Sequence, residues 1–323
     1  MGTSSEEDKP SMLPPQVQAL GDATARGIGQ VIFLNSPKAG GILLGGLAVG
    51  DPTLACLAAL GAVTATSAAS TAGLDKQTIE NGLLGYNGCL VGCAAAVFGP
   101  STIIASTTST ILGAAASPFV AASLSETMKI PQWTFAFNIV ALTSILRTRP
   151  LLPADEPADV VDVATSTTSA VDLILSPFTG ISQIFVVESA LSGAIITYGI
   201  GMYSPGLAGH AVMGSAVGSA VGAALGADLS EIGMGLWGFN SALTSMAVGV
   251  FFVHSNPVMA LSAGGAAATA ALFGAMKTVF GAYGSPALTL PFCFTMSSCY
   301  LLGKQVPALQ FAKDPHSPEK NSA

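Results

Sequence analysis

Two primary amides stand where amides are expensive. Gln30 lies in the run Gly27-Ile28-Gly29-Gln30-Val31-Ile32-Phe33, and Gln183 in Gly180-Ile181-Ser182-Gln183-Ile184-Phe185-Val186. An amide in apolar surroundings costs roughly 2–7 kcal/mol unless something hydrogen-bonds it. Two of them in echoing phrases point to a site, and the chemistry open to an amide there is hydrogen bonding to a solute.

Two further phrases also occur twice. Gly82-Leu83-Leu84-Gly85-Tyr86-Asn87-Gly88-Cys89-Leu90 is echoed by Gly235-Leu236-Trp237-Gly238-Phe239-Asn240-Ser241-Ala242-Leu243. Tyr86 with Leu90, and Phe239 with Leu243, stand four apart and share one helix face. Ordinary packing explains one such pair; its recurrence beside an asparagine brings a functional reading level with it. Asn87 and Asn240 suit capping a helix end or bonding a neighbouring helix better than touching a solute. The third phrase is Ile130-Pro131-Gln132-Trp133-Thr134-Phe135-Ala136-Phe137, echoed by Ser285-Pro286-Ala287-Leu288-Thr289-Leu290-Pro291-Phe292. Two prolines around a short apolar run predict a helix broken within the membrane, with carbonyls freed toward a cavity. Thr134 and Thr289 add hydroxyls there. The competing role for a membrane threonine, a bond back to its own helix carbonyl, stays open for Thr134, because Ala136 replaces the second proline.

The elements that carry these phrases are membrane helices. Half of the 323 residues are hydrophobic, 9% are charged, and mean hydropathy is +0.63; soluble domains carry about 25% charged residues. The 37 glycines suit close helix packing. With 11 Lys+Arg and 3 His there is no basic face for nucleic acid. Cys56, Cys89, Cys93, Cys293 and Cys299 all lie in apolar runs and read as packing residues. Residues 1–16 form a polar tail without the apolar core of a signal peptide. Apolar segments follow at about 27–49, 53–72, 82–98, 101–122 and 131–147, and again at about 178–203, 206–227, 233–252, 256–275 and 286–303, several near the ~20 residues that span a bilayer. The expected organisation is a first membrane repeat over 17–147, an acidic Ser/Thr-rich linker over 148–175, a second repeat over 176–303 and a polar tail over 304–323. Register supports the duplication: Gly40, Pro52 and Asn87 lie 10, 22 and 57 residues after Gln30, and Gly193, Pro205 and Asn240 lie 10, 22 and 57 after Gln183. Halves with an odd number of crossings would be inverted relative to one another, with solute binding near the midplane.

Taken together, the three doubled phrases resemble the urea transporter family over roughly 16–304. The sequence departs from the family pattern at Ile130 and Ser285, which precede the prolines in place of leucine, and at Ala136. The resemblance implies an all-α multi-pass protein of the plasma membrane, built of two inverted repeats, each with five spanning helices and a tilted re-entrant half-helix around a central pore. It implies a homotrimer in membrane lipid, one pore per subunit, passing urea without ion coupling. Carried over by position, Gln30 and Gln183 bind urea at the two mouths of a filter. Thr134 and Thr289 stand at its centre, flanked by Val31 and Ile184. Tyr86, Leu90, Phe239, Leu243 and Phe33 form the slot. Val186 stands opposite Phe33 in the repeat, and Glu188 opposite Asn35, so the two mouths should differ.

Other readings have less support. A channel for ammonia, water or another small amide shares the architecture, but His210 and His254 are not repeat mates. An ion-coupled transporter would use a buried acid, for which Glu188 is the candidate. No Ser/His pair, paired Asp or metal-spaced His is evident, so neither an enzyme nor a cofactor is implied.

Overall fold

The computed structural model of the chain describes residues 14–148 and 168–323, with the side chains of Arg147 and Thr148 left aside. The polar start and the linker acids Asp155, Glu156, Asp159 and Asp162 lie outside the described residues. Among the described residues there are fourteen helices: α1 (Pro15–Gln30), α2 (Pro37–Gly50), α3 (Pro52–Thr71), α4 (Lys76–Glu80), α5 (Tyr86–Phe98), α6 (Ile103–Met128), α7 (Phe135–Thr148), α8 (Ala170–Gln183), α9 (Ala190–Tyr203), α10 (Pro205–Ala224), α11 (Leu229–Gly233), α12 (Phe239–Phe251), α13 (Asn256–Gly281) and α14 (Leu290–Gly303). Element for element, α1–α7 recur as α8–α14. From α2 to α6 the helix starts keep one constant separation from their counterparts, and it is slightly longer for the first pair, α1 and α8, and the last, α7 and α14.

The repetition extends to the residues that start and stop the helices. Ser36 and Ser189 cap α2 and α9, Asp51 and Ser204 cap α3 and α10, Asp75 and Asp228 cap α4 and α11, and Thr102 and Ser255 cap α6 and α13. Each side-chain oxygen satisfies an amide of the first turn and is worth about 1 kcal/mol. Left-handed backbone also recurs in pairs: Gly82 with Gly235, Phe33 with Val186, Trp133 with Leu288. Between α1 and α2, a Cβ on Gly40 would lie 1.8 Å from the Ala25 carbonyl oxygen; on Gly193, 1.8 Å from that of Phe178. Only glycine lets these two hairpins close backbone to backbone.

The apolar runs at 27–49 and 178–203, which read as single segments, are each two helices. The break follows from the left-handed Phe33 and Val186, φ 66° and 62°. The Leu34 amide bonds the Gly29 carbonyl at 3.0 Å and the Phe33 amide bonds that of Gln30 at 3.2 Å; Val187 and Val186 do the same with Ser182 and Gln183 at 3.3 and 3.0 Å. This is the Schellman ending of a helix, with Phe or Val where glycine is usual.

Among the described residues, four helices are long and apolar enough to cross a membrane: α3, α6, α10 and α13. At 26 residues, α6 and α13 are each about 39 Å long, beyond the ~30 Å hydrocarbon core. Only 28% of the apolar window of α6 is buried within the protein, and Ile104, Leu112 and Phe119 point outward. The halves meet where α2 packs on α9 and where α7 touches α14.

Two stretches are more ordered than their composition suggests. Helix α8 begins at Ala170, inside the stretch read as linker, because Ser169 and Asp172 form a capping box: Ser169 Oγ accepts the Asp172 amide at 3.2 Å and Asp172 Oδ2 accepts the Ser169 amide at 2.9 Å. The polar stretch after Lys304 folds back onto the helices. Val253 donates to Gln310 and Ala312 to Phe251 at 2.9 and 3.0 Å. Asn321 Nδ2 donates to the carbonyls of Gly249, Val250 and Phe252, which end α12.

Candidate functional site

Each predicted amide is the last residue of its helix, Gln30 of α1 and Gln183 of α8. Gln30 Nε2 donates to the Asn81 carbonyl at 2.9 Å, and Gln183 Nε2 to the Met234 carbonyl at 3.0 Å. A carbonyl can only accept, so these bonds fix which end of each amide is nitrogen. The donor end is committed to backbone, and Oε1 is the end that can take an N–H. Gln30 is half-buried; Gln183 is 9% exposed.

A cavity of about 620 Å³ runs from Gln30 to Thr134. Val31, Phe33 and Tyr86 line it with them, as do Asn35, Asn81, Gln132, Trp133, Phe251 and Phe292. The aromatic wall is built edge to face. Phe33 meets Phe251 and Phe292 at 6.4 Å, and Trp133 meets them at 5.2 and 6.0 Å. Near the opening, Asn35 accepts from Arg26 at 2.8 Å and donates to Asn81 at 3.0 Å. Asp75 is also there, its carboxyl held below the usual range by the hydroxyl and amide of Thr78. From the folded-back C-terminal stretch come Pro315 and His316. The His316 ring stacks on Tyr203 at 5.0 Å, and burial, then Lys320, push its imidazole below its ordinary value.

The lining takes in Gln30, Val31, Phe33, Tyr86 and Thr134, and leaves out Leu90, Gln183, Ile184, Phe239, Leu243 and Thr289. Leu90 and Leu243 are each 1% exposed and belong to the core. Helix α5 is enclosed by α1, α3, α6 and α7, so its first residue, Tyr86, meets the cavity while the residue one turn on does not.

At the inner end the halves touch through polar groups. Thr134 Oγ1 and Thr289 Oγ1 are 2.7 Å apart, and Thr134 Oγ1 is 3.1 Å from Cys293 Sγ. Thr289 stands at the N-cap of α14 yet makes no capping bond with its side chain. Thr134 likewise turns across to the other half rather than back to its own helix. Asn138, four residues after Thr134, donates to the Thr134 carbonyl and to Thr289 Oγ1, both at 2.8 Å, and accepts the Thr289 amide at 3.2 Å.

The asparagines of the second phrase hold the two short helices. Asn87 Oδ1 accepts the Phe137 amide at 3.1 Å, and Asn240 Oδ1 accepts the Phe292 amide at 3.3 Å. Asn240 Nδ2 also donates to the Leu288 carbonyl at 3.0 Å. In the first half the matching carbonyl, that of Trp133, accepts the Tyr86 hydroxyl instead, and Gln132 Nε2 donates to that hydroxyl. Gln132 Oε1 accepts the Ala136 amide at 3.3 Å. Pro291, the counterpart of Ala136, falls in the first turn of α14, where a missing N–H breaks nothing. The expected break of the helix at this second proline therefore does not occur. The irregular backbone precedes the helices, at Trp133 and Leu288, and its carbonyls are occupied.

Sequence reasoning missed Gln132, Asn138 and Cys293. For Asn138 a signal existed, since a residue four after Thr134 on one helix shares its face. Glu188 is exposed in the turn after α8, and His210 is buried against Ser262 at 2.9 Å, away from the cavity lining. Among the described residues, no group of three or more His, Cys, Asp or Glu is placed to hold a metal ion.

The family model described as urea transporter matches residues 21–304. The chain is 31% identical over 310 residues to urea transporter 1 of Rattus norvegicus, and 31% identical over 316 residues to that of Ovis aries. It is 30% identical over 314 residues to that of Mus musculus. Each match covers 91% of this chain and 79% of the relative.

Proposed function

The chain belongs to the urea transporter family and carries urea across a membrane, and we propose that it does so passively, through a narrow filter between its two halves. The observation that carries this reading is the pair of helix-end glutamines, each with its amide nitrogen tied to backbone, which leaves the oxygen as the end for a solute N–H. Gln30 and Gln183 receive urea at the two mouths. Thr134 and Thr289 accept its N–H groups at the centre, with Val31 and Ile184 beside them. Phe33 and Tyr86 in one half and Phe239 in the other form the slot, with the buried Leu90 and Leu243 behind them. Urea is flat, neutral and rich in N–H donors. Flat apolar walls admit it edge-on and leave a hydrated ion no replacement for its water. A hydrogen bond exchanged with water is worth only about 0.5–1.5 kcal/mol net, so a row of such acceptors lets urea enter and leave quickly.

The element-by-element repeat, and the meeting of α2 with α9 and α7 with α14, support an inverted pair of halves about a pseudo-two-fold axis. In this reading each half has five crossings, and the short α7 and α14 are its tilted half-helices. The outward apolar faces of α6 and α13 fit lipid and neighbouring subunits of a homotrimer in the plasma membrane. The proposed units are 17–147 and 176–303, with α1 and α8 reaching back to Pro15 and Ala170.

The test is urea flux into proteoliposomes with no ion gradient. Wild-type protein should conduct, and Gln30→Ala should lower the flux by about tenfold, the loss of one good hydrogen bond, with the protein still folded. Flux that requires sodium or protons sinks the passive mechanism, and an unchanged flux removes Gln30 from the site.

A further inference from the structure

At the centre of the path the two halves stop matching. Position 138 and position 293 each lie four residues after their threonine, yet one is asparagine and the other cysteine. Both are fully buried. Asn138 is pinned at both ends by groups with a single role. Its Oδ1 accepts the Thr289 amide, which can only donate, and its Nδ2 donates to the Thr134 carbonyl, which can only accept. The second Nδ2 proton goes to Thr289 Oγ1, 2.8 Å away, ahead of the longer contact with Cys293 Sγ at 3.7 Å. That settles the direction of the remaining bonds. If Thr289 gives its hydroxyl proton to Thr134 across 2.7 Å, Thr134 gives its own to Cys293 Sγ at 3.1 Å, and both threonine hydroxyls have an acceptor. In the opposite direction the Thr289 proton is left with only the Cys293 sulfur, a weak acceptor, which is costly at a buried site.

We propose that Asn138 is a specificity-determining positioning residue: it orders the hydroxyls in the sequence Asn138, Thr289, Thr134, Cys293, so that both threonine oxygens, Thr134 on the cavity lining and Thr289 bonded to it from the other half, are left as acceptors only. Each oxygen then has one lone pair for a passing N–H and no proton to offer. The arrangement favours solutes rich in N–H donors, and urea has four. This deepens the reading of the path as a urea conduit and rests on it.

The experiment compares urea with acetamide, a flat amide with two N–H donors, in proteoliposomes holding the full-length protein. In Asn138→Cys the donor that sets the direction is gone. Urea flux should fall about tenfold and acetamide flux by less, so that their ratio drops. In the double variant N138C/C293N the two residues are exchanged, the same chain of bonds runs from the other side, and the ratio should return to that of wild type. A mere packing role for Asn138 would lower both fluxes together and would not be rescued by the exchange. If wild type itself passes no urea, the conduit reading fails; if wild type conducts and N138C keeps its ratio, this inference alone fails. Should N138C not fold, the exchanged protein decides: failure to assemble, or a ratio away from wild type, overturns the proposal.

Discussion

The two halves share a backbone and differ in the side chains that serve it. Around Gln30, Arg26, Asn35 and Asn81 form a hydrogen-bonded trio; the equivalent positions of the second half hold Thr179, Glu188 and Met234. Both glutamines nevertheless make the same bond, because each partner is a main-chain carbonyl that is present whatever the side chain. A contact made to backbone survives divergence of the sequence around it. Contacts between side chains do not, and here they change in sets. Tyr86, Gln132 and Ala136 in one half stand against Phe239, Ala287 and Pro291 in the other. Gln132 bonds the Tyr86 hydroxyl and takes up the Ala136 N–H. Remove the hydroxyl and the N–H, as Phe239 and Pro291 do, and the glutamine has nothing to serve.

The largest effect expected from this comparison concerns the asparagines. Asn240 uses both ends of its amide, whereas Asn87 Nδ2 is buried without a partner because Tyr86 has taken the Trp133 carbonyl. Asn240→Ala strands a buried carbonyl and a buried amide, and should cost about 2–4 kcal/mol; Asn87→Ala strands one group and should cost about 1–2 kcal/mol. Denaturant unfolding in detergent micelles measures both. Equal losses would mean that the hydroxyl of Tyr86 does not displace Asn87.

Next in size is the set around Gln132. Gln132→Ala leaves the Ala136 N–H without its acceptor and should cost about 1–3 kcal/mol. Adding Y86F and A136P rebuilds the chemistry of the second half, and the triple variant should recover at least about 1 kcal/mol of that loss, a coupling of the size seen between groups in one network. The comparison breaks if the triple variant is no more stable than Q132A.

Much of this architecture is legible in the chain because its markers are local. Capping Ser and Asp, helix-opening Pro, and Gly at close approaches recur at fixed offsets, so the duplication can be read without knowing any contact. The glutamines are legible as apolar-run amides for the same reason. The centre is not, because it is assembled across the halves from unlike residues: Asn138 and Cys293 share no chemistry that would flag them as mates, and what joins them is contact between helices from opposite halves. The last stretch of the chain misleads in another way. Its polar residues suggest a tail, but Asn321 and Glu319 spend their polarity on helix ends. Glu319 accepts from Ser204 at 2.6 Å and from the Gly206 amide at the start of α10. Burial would raise its carboxyl, and those bonds bring it below the usual range. Composition alone cannot tell a group bonded to water from one bonded to a helix terminus.

The smallest effect separates Phe33 from Val186. Both are non-glycine residues in left-handed backbone at the end of a glutamine-bearing helix. Phe33 has compensation, since its ring packs against Phe251 and Phe292. Val186 is β-branched, for which this backbone is a genuine outlier, and no ring stacking offsets the strain. Val186→Gly should therefore raise stability by about 0.5–1 kcal/mol, the relief of strain slightly exceeding the added freedom of the unfolded chain. Phe33→Gly should lower it, because the lost aromatic packing outweighs the same relief. Thermal midpoints of the two variants read the difference in sign directly. Urea flux read alongside separates strain from positioning. In the proposed path the turn at Val186 sets the height of Gln183, so V186G should be the more stable protein and the slower one; if it gains stability and keeps its flux, the strained turn only ends the helix and Gln183 is positioned by its bond to Met234 alone.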